Sequence, residues 1–136
     1  MKNSIVVAML LALPCAAAAS DTVAVTILAE ARGEGKSGMY AVACVIQTRS
    51  RERRLTPEQV CLQKYQFSCN NKGIQVKLLN QSQEADYARL LAAAIGRLDE
   101  SFVGGANHYH AAAVAPKWSK GVKPVKEIGN HKFYKL

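Results

Sequence analysis

The chain has 136 residues, 49% of them hydrophobic, and a formal net charge of +8. That length and apolar share suit one compact domain with a core of its own. The charge points to an anionic polymer or surface as partner. The basic residues are scattered, with local groups at Arg49–Arg54 and Lys117–Lys126, and no aromatic-interleaved or finger-like motif accompanies them, so nucleic acid is not an expected partner.

In chain order, the first twenty residues stand apart. Lys2 gives a positive start, Ile5–Leu13 an apolar run and Ala16–Ser20 a small-residue exit. This is the layout of a secretory signal peptide, and its apolar run is short for a membrane span. Cleavage near Ala18–Ser20 leaves 21–136 as a single exported domain with no stable span. Its net charge is then +7, because Lys2 is the only charged residue removed. Retention as an uncleaved, Ala-rich signal anchor is the alternative. Of the remaining cysteines, Cys61 and Cys69 are close enough to staple one loop in an oxidising compartment, and Cys44, in an Ala/Val run, reads as a buried thiol. Their spacings do not resemble a zinc site. No cofactor is expected, and the expected state is a monomer.

Asp21 or Thr22 caps a first helix to about Arg32, with Val23 and Ile27 on its apolar face. Gly33 and Gly35 stop it. Ser37 caps a second helix, Gly38 to about Arg51, whose near-continuous apolar positions predict the most buried helix of the protein. Arg49, Arg51, Arg53 and Arg54 then carry its end into solvent, where cations suit the helix dipole. Thr56-Pro57-Glu58-Gln59 combines a capping box with a first-turn proline and opens a short helix to about Gln63. Tyr65–Cys69 predicts an extended segment and Asn70–Gly73 a turn. Asn80 or Ser82 opens a third long helix to about Leu98, with Tyr87, Leu91, Ala94 and Leu98 as its core stripe. Beyond Phe102 glycines and prolines break the chain. Two or three short strands are expected there, with Glu127–His131 as a turn and Lys132–Lys135 as a closing strand.

Three groups can carry chemistry. Glu30-Ala31-Arg32-Gly33-Glu34-Gly35 places two carboxylates four apart, after an apolar segment. A carboxyl at the end of an apolar helix tends to be partly desolvated, which suits a general acid; the alternative is a solvated helix end paired with Arg32. His108-Tyr109-His110 with His131 contains every histidine of the chain. On a strand, His-x-His points both rings to one side, and a third histidine with Glu30 would complete a zinc hydrolase site; the alternative is that they bond loop backbone or line a polar cleft. The third group is aromatic: Tyr65, Phe67, Tyr109, Trp118, Phe133 and Tyr134. Sugar rings stack on aromatic faces while their hydroxyls seek groups such as Gln66 and Asn107; the alternative is that Phe67, Phe133 and Tyr134 are core.

These motifs, taken in order, resemble the SleB/CwlJ-type cell-wall hydrolases, a family that includes spore-cortex-lytic enzymes and phage or bacterial relatives. The resemblance runs through Ala29–Gly35, Ala41–Arg49, Val60-Cys61, Gln66-Phe67-Ser68, Gly105–His110, Pro116-Lys117-Trp118, Ile128–His131 and Phe133-Tyr134, and spans nearly all of residues 21–136. The chain departs from it in Gln47-Thr48, in extra late lysines and in Cys69. The resemblance implies an α+β domain of lysozyme-superfamily type, mainly helical with a short C-terminal antiparallel β element. It implies cleavage of the MurNAc–GlcNAc bond of peptidoglycan glycan strands in the periplasm or cell wall, or on release by a phage during lysis. It carries the catalytic role to Glu30 and substrate contacts to Gln66, Phe67, Tyr109, His110 and Trp118. Glu34 reads as a supporting, site-shaping group at the substrate site. A single acid suffices if the MurNAc 6-hydroxyl is the nucleophile, as in a lytic transglycosylase; hydrolysis by two carboxylates needs a second group at about 5–5.5 Å or 6.5–9.5 Å. The rival functions are a zinc amidase using His108, His110 and His131, and a non-catalytic wall-binding module.

Overall fold

A computed structural model describes residues 21–31, 33–63, 67 and 82–136. Four α-helices form the body: α1 (Asp21–Glu30), α2 (Gly35–Arg53), α3 (Pro57–Leu62) and α4 (Gln83–Ala94). A 3₁₀ turn at Glu100–Val103 leads to three short strands, β1 (His108–Ala111), β2 (Lys126–Ile128) and β3 (His131–Tyr134), with a second 3₁₀ turn at Lys117–Ser119 between the first two. The sheet is antiparallel with order β1-β3-β2. A mainly helical α+β domain with a small C-terminal antiparallel sheet is therefore what the chain forms.

Helix α2 organises it. Met39, Val42, Ala43 and Ile46 pack into one apolar cluster with α1, α3 and α4, while Ala41, Cys44 and Val45 pack into a second with Val103, Ala106 and Phe133 beneath the sheet. A helix apolar on two sides is buried on two sides, as its near-continuous apolar run predicts. Local signals hold where they are strongest. Thr56 and Gln59 form the reciprocal capping box, and Ser82 accepts from Ala85 N–H to open α4.

The ends depart from expectation for tertiary reasons. Helix α4 stops at Ala94 rather than near Leu98, because Gln47 Oε1 on α2 takes the N–H groups of Gly96 (2.7 Å) and Leu98 (2.8 Å) that would have continued the helix. Helix α2 begins at Gly35, ahead of Ser37. The residue before it, Glu34, makes no cap bond to its own helix and reaches across to the sheet. The β2–β3 hairpin turns on Gly129-Asn130 alone, Gly129 having φ +55°, so its flanking residues are strand rather than turn. The expected extended segment 65–69, apart from Phe67, and the expected turn 70–73 lie outside the described residues.

Candidate active site

Glu30 is the last residue of α1 and is half-buried. Gly33, three residues on, has φ +84°. Tyr109, the second residue of β1, is 79 residues beyond Glu30, and its Oη donates to Glu30 Oε2 at 3.0 Å. The strand dictates which side chain gets there. Side chains alternate across a strand, and the register pairs Tyr109 with Phe133 and Ala111 with His131, so Tyr109, Phe133 and His131 share the face turned toward the helices. There the Tyr109 ring is held edge-on by His131 (5.3 Å between centroids) and against the buried Phe133 (5.6 Å).

Beneath this pair lies Arg49 of α2, only 4% exposed. Its Nε donates to the Asn107 carbonyl at 2.7 Å and its guanidinium sits 5.3 Å from the centre of the Phe67 ring. Nη1 is buried with no hydrogen-bond partner among the described residues. Burial pushes the guanidinium down to about 10, opposed by Tyr109, Cys61 and Glu30 nearby, so it remains a cation at neutral pH. Asn107 is saturated: its side chain bonds Glu52, His108 and both backbone groups of Leu136, and its N–H bonds the Tyr134 carbonyl. At 6% exposed it anchors the start of β1 and has nothing left for a sugar hydroxyl.

Glu34 is engaged elsewhere. Its Oε2 accepts the Asn130 N–H at 2.9 Å in the β2–β3 turn. Glycine is required on both sides of it, since a Cβ at Gly38 would clash with the Glu34 stem and one at Gly129 with its carboxylate. Glu34 thus ties the α1–α2 turn to the β2–β3 hairpin.

The other sequence candidates are distributed as follows. Gln66 lies outside the described residues. Phe67 is 1% exposed, so its ring supports Arg49 instead of stacking on a sugar. His110 and Trp118 do not join Tyr109; they occupy the opposite face of the sheet with His108 and Tyr134. Trp118 packs against all three of those rings, and His110 stacks on Tyr134 at 5.2 Å. Both His110 ring nitrogens are used, Nδ1 on the Ala111 carbonyl at 2.7 Å and Nε2 on Tyr134 Oη at 2.8 Å. With His108 and His110 on one face and His131 on the other, the three histidines do not converge as a zinc triad, and no cluster of metal-binding side chains occurs among the described residues. Cys44 is buried as expected, and its thiol is pushed up to about 12, chiefly by burial and also by Glu100 and Asp99. Cys61 is buried; its expected partner Cys69 lies outside the described residues.

Comparison with known proteins gives the family. The profile of the cell wall hydrolases matches residues 33–134. The chain belongs to the cell wall hydrolase family. It is similar to the catalytic domain of SleB from Bacillus cereus, at 30% identity over 85% of this chain and 88% of that one, with a TM-score of 0.68. It is equally similar to the catalytic domain of the germination-specific lytic transglycosylase SleB from Bacillus anthracis, at 30% identity over 85% and 92%, with a TM-score of 0.69. No curated protein matches the chain significantly.

As a cell wall hydrolase the protein is an enzyme, and its sequence left one buried residue of this region unmarked. Arg49 reads as part of a solvated arginine run. Its burial was nonetheless encoded, because Arg49 follows Val45 by four and Ile46 by three, on the buried stripe of α2. Gln47, one of the chain's departures from the family pattern, makes no part of the site; it clasps the segment after α4.

Proposed function

We propose that this hydrolase is a peptidoglycan-cleaving glycosidase of the lytic transglycosylase type, acting on the MurNAc–GlcNAc bond with Glu30 as sole general acid and base. The observation that carries this reading is the Tyr109–Glu30 hydrogen bond. It fixes the orientation of a half-buried carboxyl at a helix end, on the helix-facing side of the sheet. Protonated Glu30 gives its proton to the glycosidic oxygen as the C1–O bond breaks. The carboxylate then takes the proton of the MurNAc 6-hydroxyl, whose oxygen bonds C1 and closes the 1,6-anhydro ring. No water is consumed and Glu30 ends as it began. The single-acid route is favoured because Glu34, its neighbour in sequence, is committed to the hairpin, whereas two-carboxylate hydrolysis needs a second group facing the bond. The similarity to a domain described as a lytic transglycosylase points the same way.

The enzyme is accordingly proposed to work outside the cytoplasm on glycan strands, its first twenty residues serving export. No helix among the described residues is long and apolar enough to cross a membrane. The test is digestion of purified sacculi by wild type and Glu30→Gln, with muropeptides read by mass. Wild type is expected to release anhydro-ended fragments and Glu30→Gln none. Reducing ends would replace transglycosylation by hydrolysis, and lysis by Glu30→Gln would remove Glu30 from the acid role.

A further inference from the structure

Arg49 combines features that a purely structural ion does not need. It is 4% exposed, spends Nε on the Asn107 carbonyl, and keeps Nη1 buried without a hydrogen-bond partner among the described residues. A buried donor left unmet is disfavoured and calls for an explanation, of which a catalytic role is one. The ionisable groups acting on it are Tyr109, Arg53, Cys61 and Glu30. Two of those four are the hydrogen-bonded pair of the site.

We propose that Arg49 is a positioning residue for the Glu30–Tyr109 pair. Its bond to the Asn107 carbonyl, two residues ahead of Tyr109, fixes where β1 starts, and its buried cation balances the carboxylate during the half-step in which Glu30 lacks its proton. The proposal rests on the acid/base reading of Glu30. Between giving a proton to the glycosidic oxygen and receiving one from the 6-hydroxyl, Glu30 carries a negative charge while the glycan excludes water. A preorganised cation in such a place costs no reorganisation at the moment of reaction. Arginine suits the task because it stays charged throughout the working range and its planar head lies on an aromatic face, here Phe67.

The test compares full-length wild type, Arg49→Lys, Arg49→Gln and Glu30→Gln on solubilised glycan strands, with kcat and KM followed against pH and folding checked by thermal melts. Arg49→Gln is expected to lower kcat by about 10- to 100-fold with KM within about twofold. Arg49→Lys is expected to keep most of kcat at neutral pH and to gain an alkaline limb at lower pH than any in wild type, because the same burial that brings the guanidinium down to about 10 brings an amine lower still. Tyr109, Cys61, Glu30 and Arg53 are common to both proteins, so the limb unique to the variant belongs to position 49. Equal losses in both variants with no new limb, full kcat in Arg49→Gln, or failure of both variants to fold would overturn the proposal. If only Arg49→Gln fails to fold, the Arg49→Lys profile decides. Full activity in Glu30→Gln would instead sink the functional reading; an inactive Glu30→Gln beside a fully active Arg49→Gln sinks this inference alone.

Discussion

Gln47 and Arg49 stand two residues apart on α2, about 200° around the helix from each other, and each reaches a different region of the molecule. Gln47 meets every requirement of its amide: Oε1 accepts from Gly96 and Leu98, and Nε2 donates to the Leu98 carbonyl (3.0 Å) and Glu100 (3.1 Å). Glu100 also receives Arg51 at 2.7 Å. Burial alone would raise its carboxyl, yet the hydrogen bonds from Arg51 and Gln47 outweigh this and hold it below its usual range. Arg49 serves the side with the Glu30–Tyr109 pair and leaves a buried donor unmet. On our proposal, the difference separates a contact that holds the fold together from one that serves the chemistry. An unmet buried donor costs about 1–3 kcal/mol, a cost that the Gln47 amide avoids and Arg49 bears.

That contrast predicts opposite outcomes on the two sides. The largest effect falls on Glu30→Gln: loss of at least about 100-fold in muropeptide release, with a thermal melt within a degree or two of wild type. A comparable loss of melting temperature would mean that Glu30 belongs to the structural side. Gln47→Ala reverses the pattern, costing about 2–3 kcal/mol in denaturant unfolding for its four hydrogen bonds while kcat changes less than about threefold. If activity falls with it, the two regions are coupled through α2. Tyr109→Phe keeps the ring packing and removes only the Oη–Glu30 bond, so about a tenfold drop in kcat with under about 1 kcal/mol of destabilisation is expected; unchanged kcat would detach Tyr109 from the reaction.

Two smaller effects are read by pH. The Cys44 thiol is raised from its ordinary value of 9.0 to about 12, so the unfolded chain loses this proton before the native one. Its stabilising contribution is complete below pH 9 and is lost as pH climbs toward 12. Below pH 9 the native protein should leave Cys44 unmodified by a thiol reagent, read by mass, until it is unfolded. His108 is shifted the other way, lowered by burial and by the Arg49 and Arg53 cations. The unfolded state then binds the proton first, so stability falls as pH drops below about 6.5 and levels off below the native value. His108→Gln should flatten that part of the melting-temperature profile, and an unchanged profile would place the titration elsewhere.

Much of the framework follows from local sequence. The capping box at Thr56-Pro57-Glu58-Gln59 and the cap at Ser82 need only residues three apart, and the burial of α2 follows from a run of apolar residues that no single-sided helix would carry. The candidacy of Glu30 came from its place at the end of an apolar helix. What joins it to Tyr109, what hides Arg49, and what sends His110 and Trp118 to the far side of the sheet are not local properties. Each depends on strand register, because a shift of one residue exchanges the faces of β1 and would bring His108 or His110 toward the helices in place of Tyr109. Chemistry-bearing side chains were therefore legible in the sequence one by one. Which of them meet was decided by the pairing of β1 with β3, whose register runs from His108↔Tyr134 to Ala111↔His131, and by the burial of α2, with side-chain hydrogen bonds that join residues 55 to 79 apart.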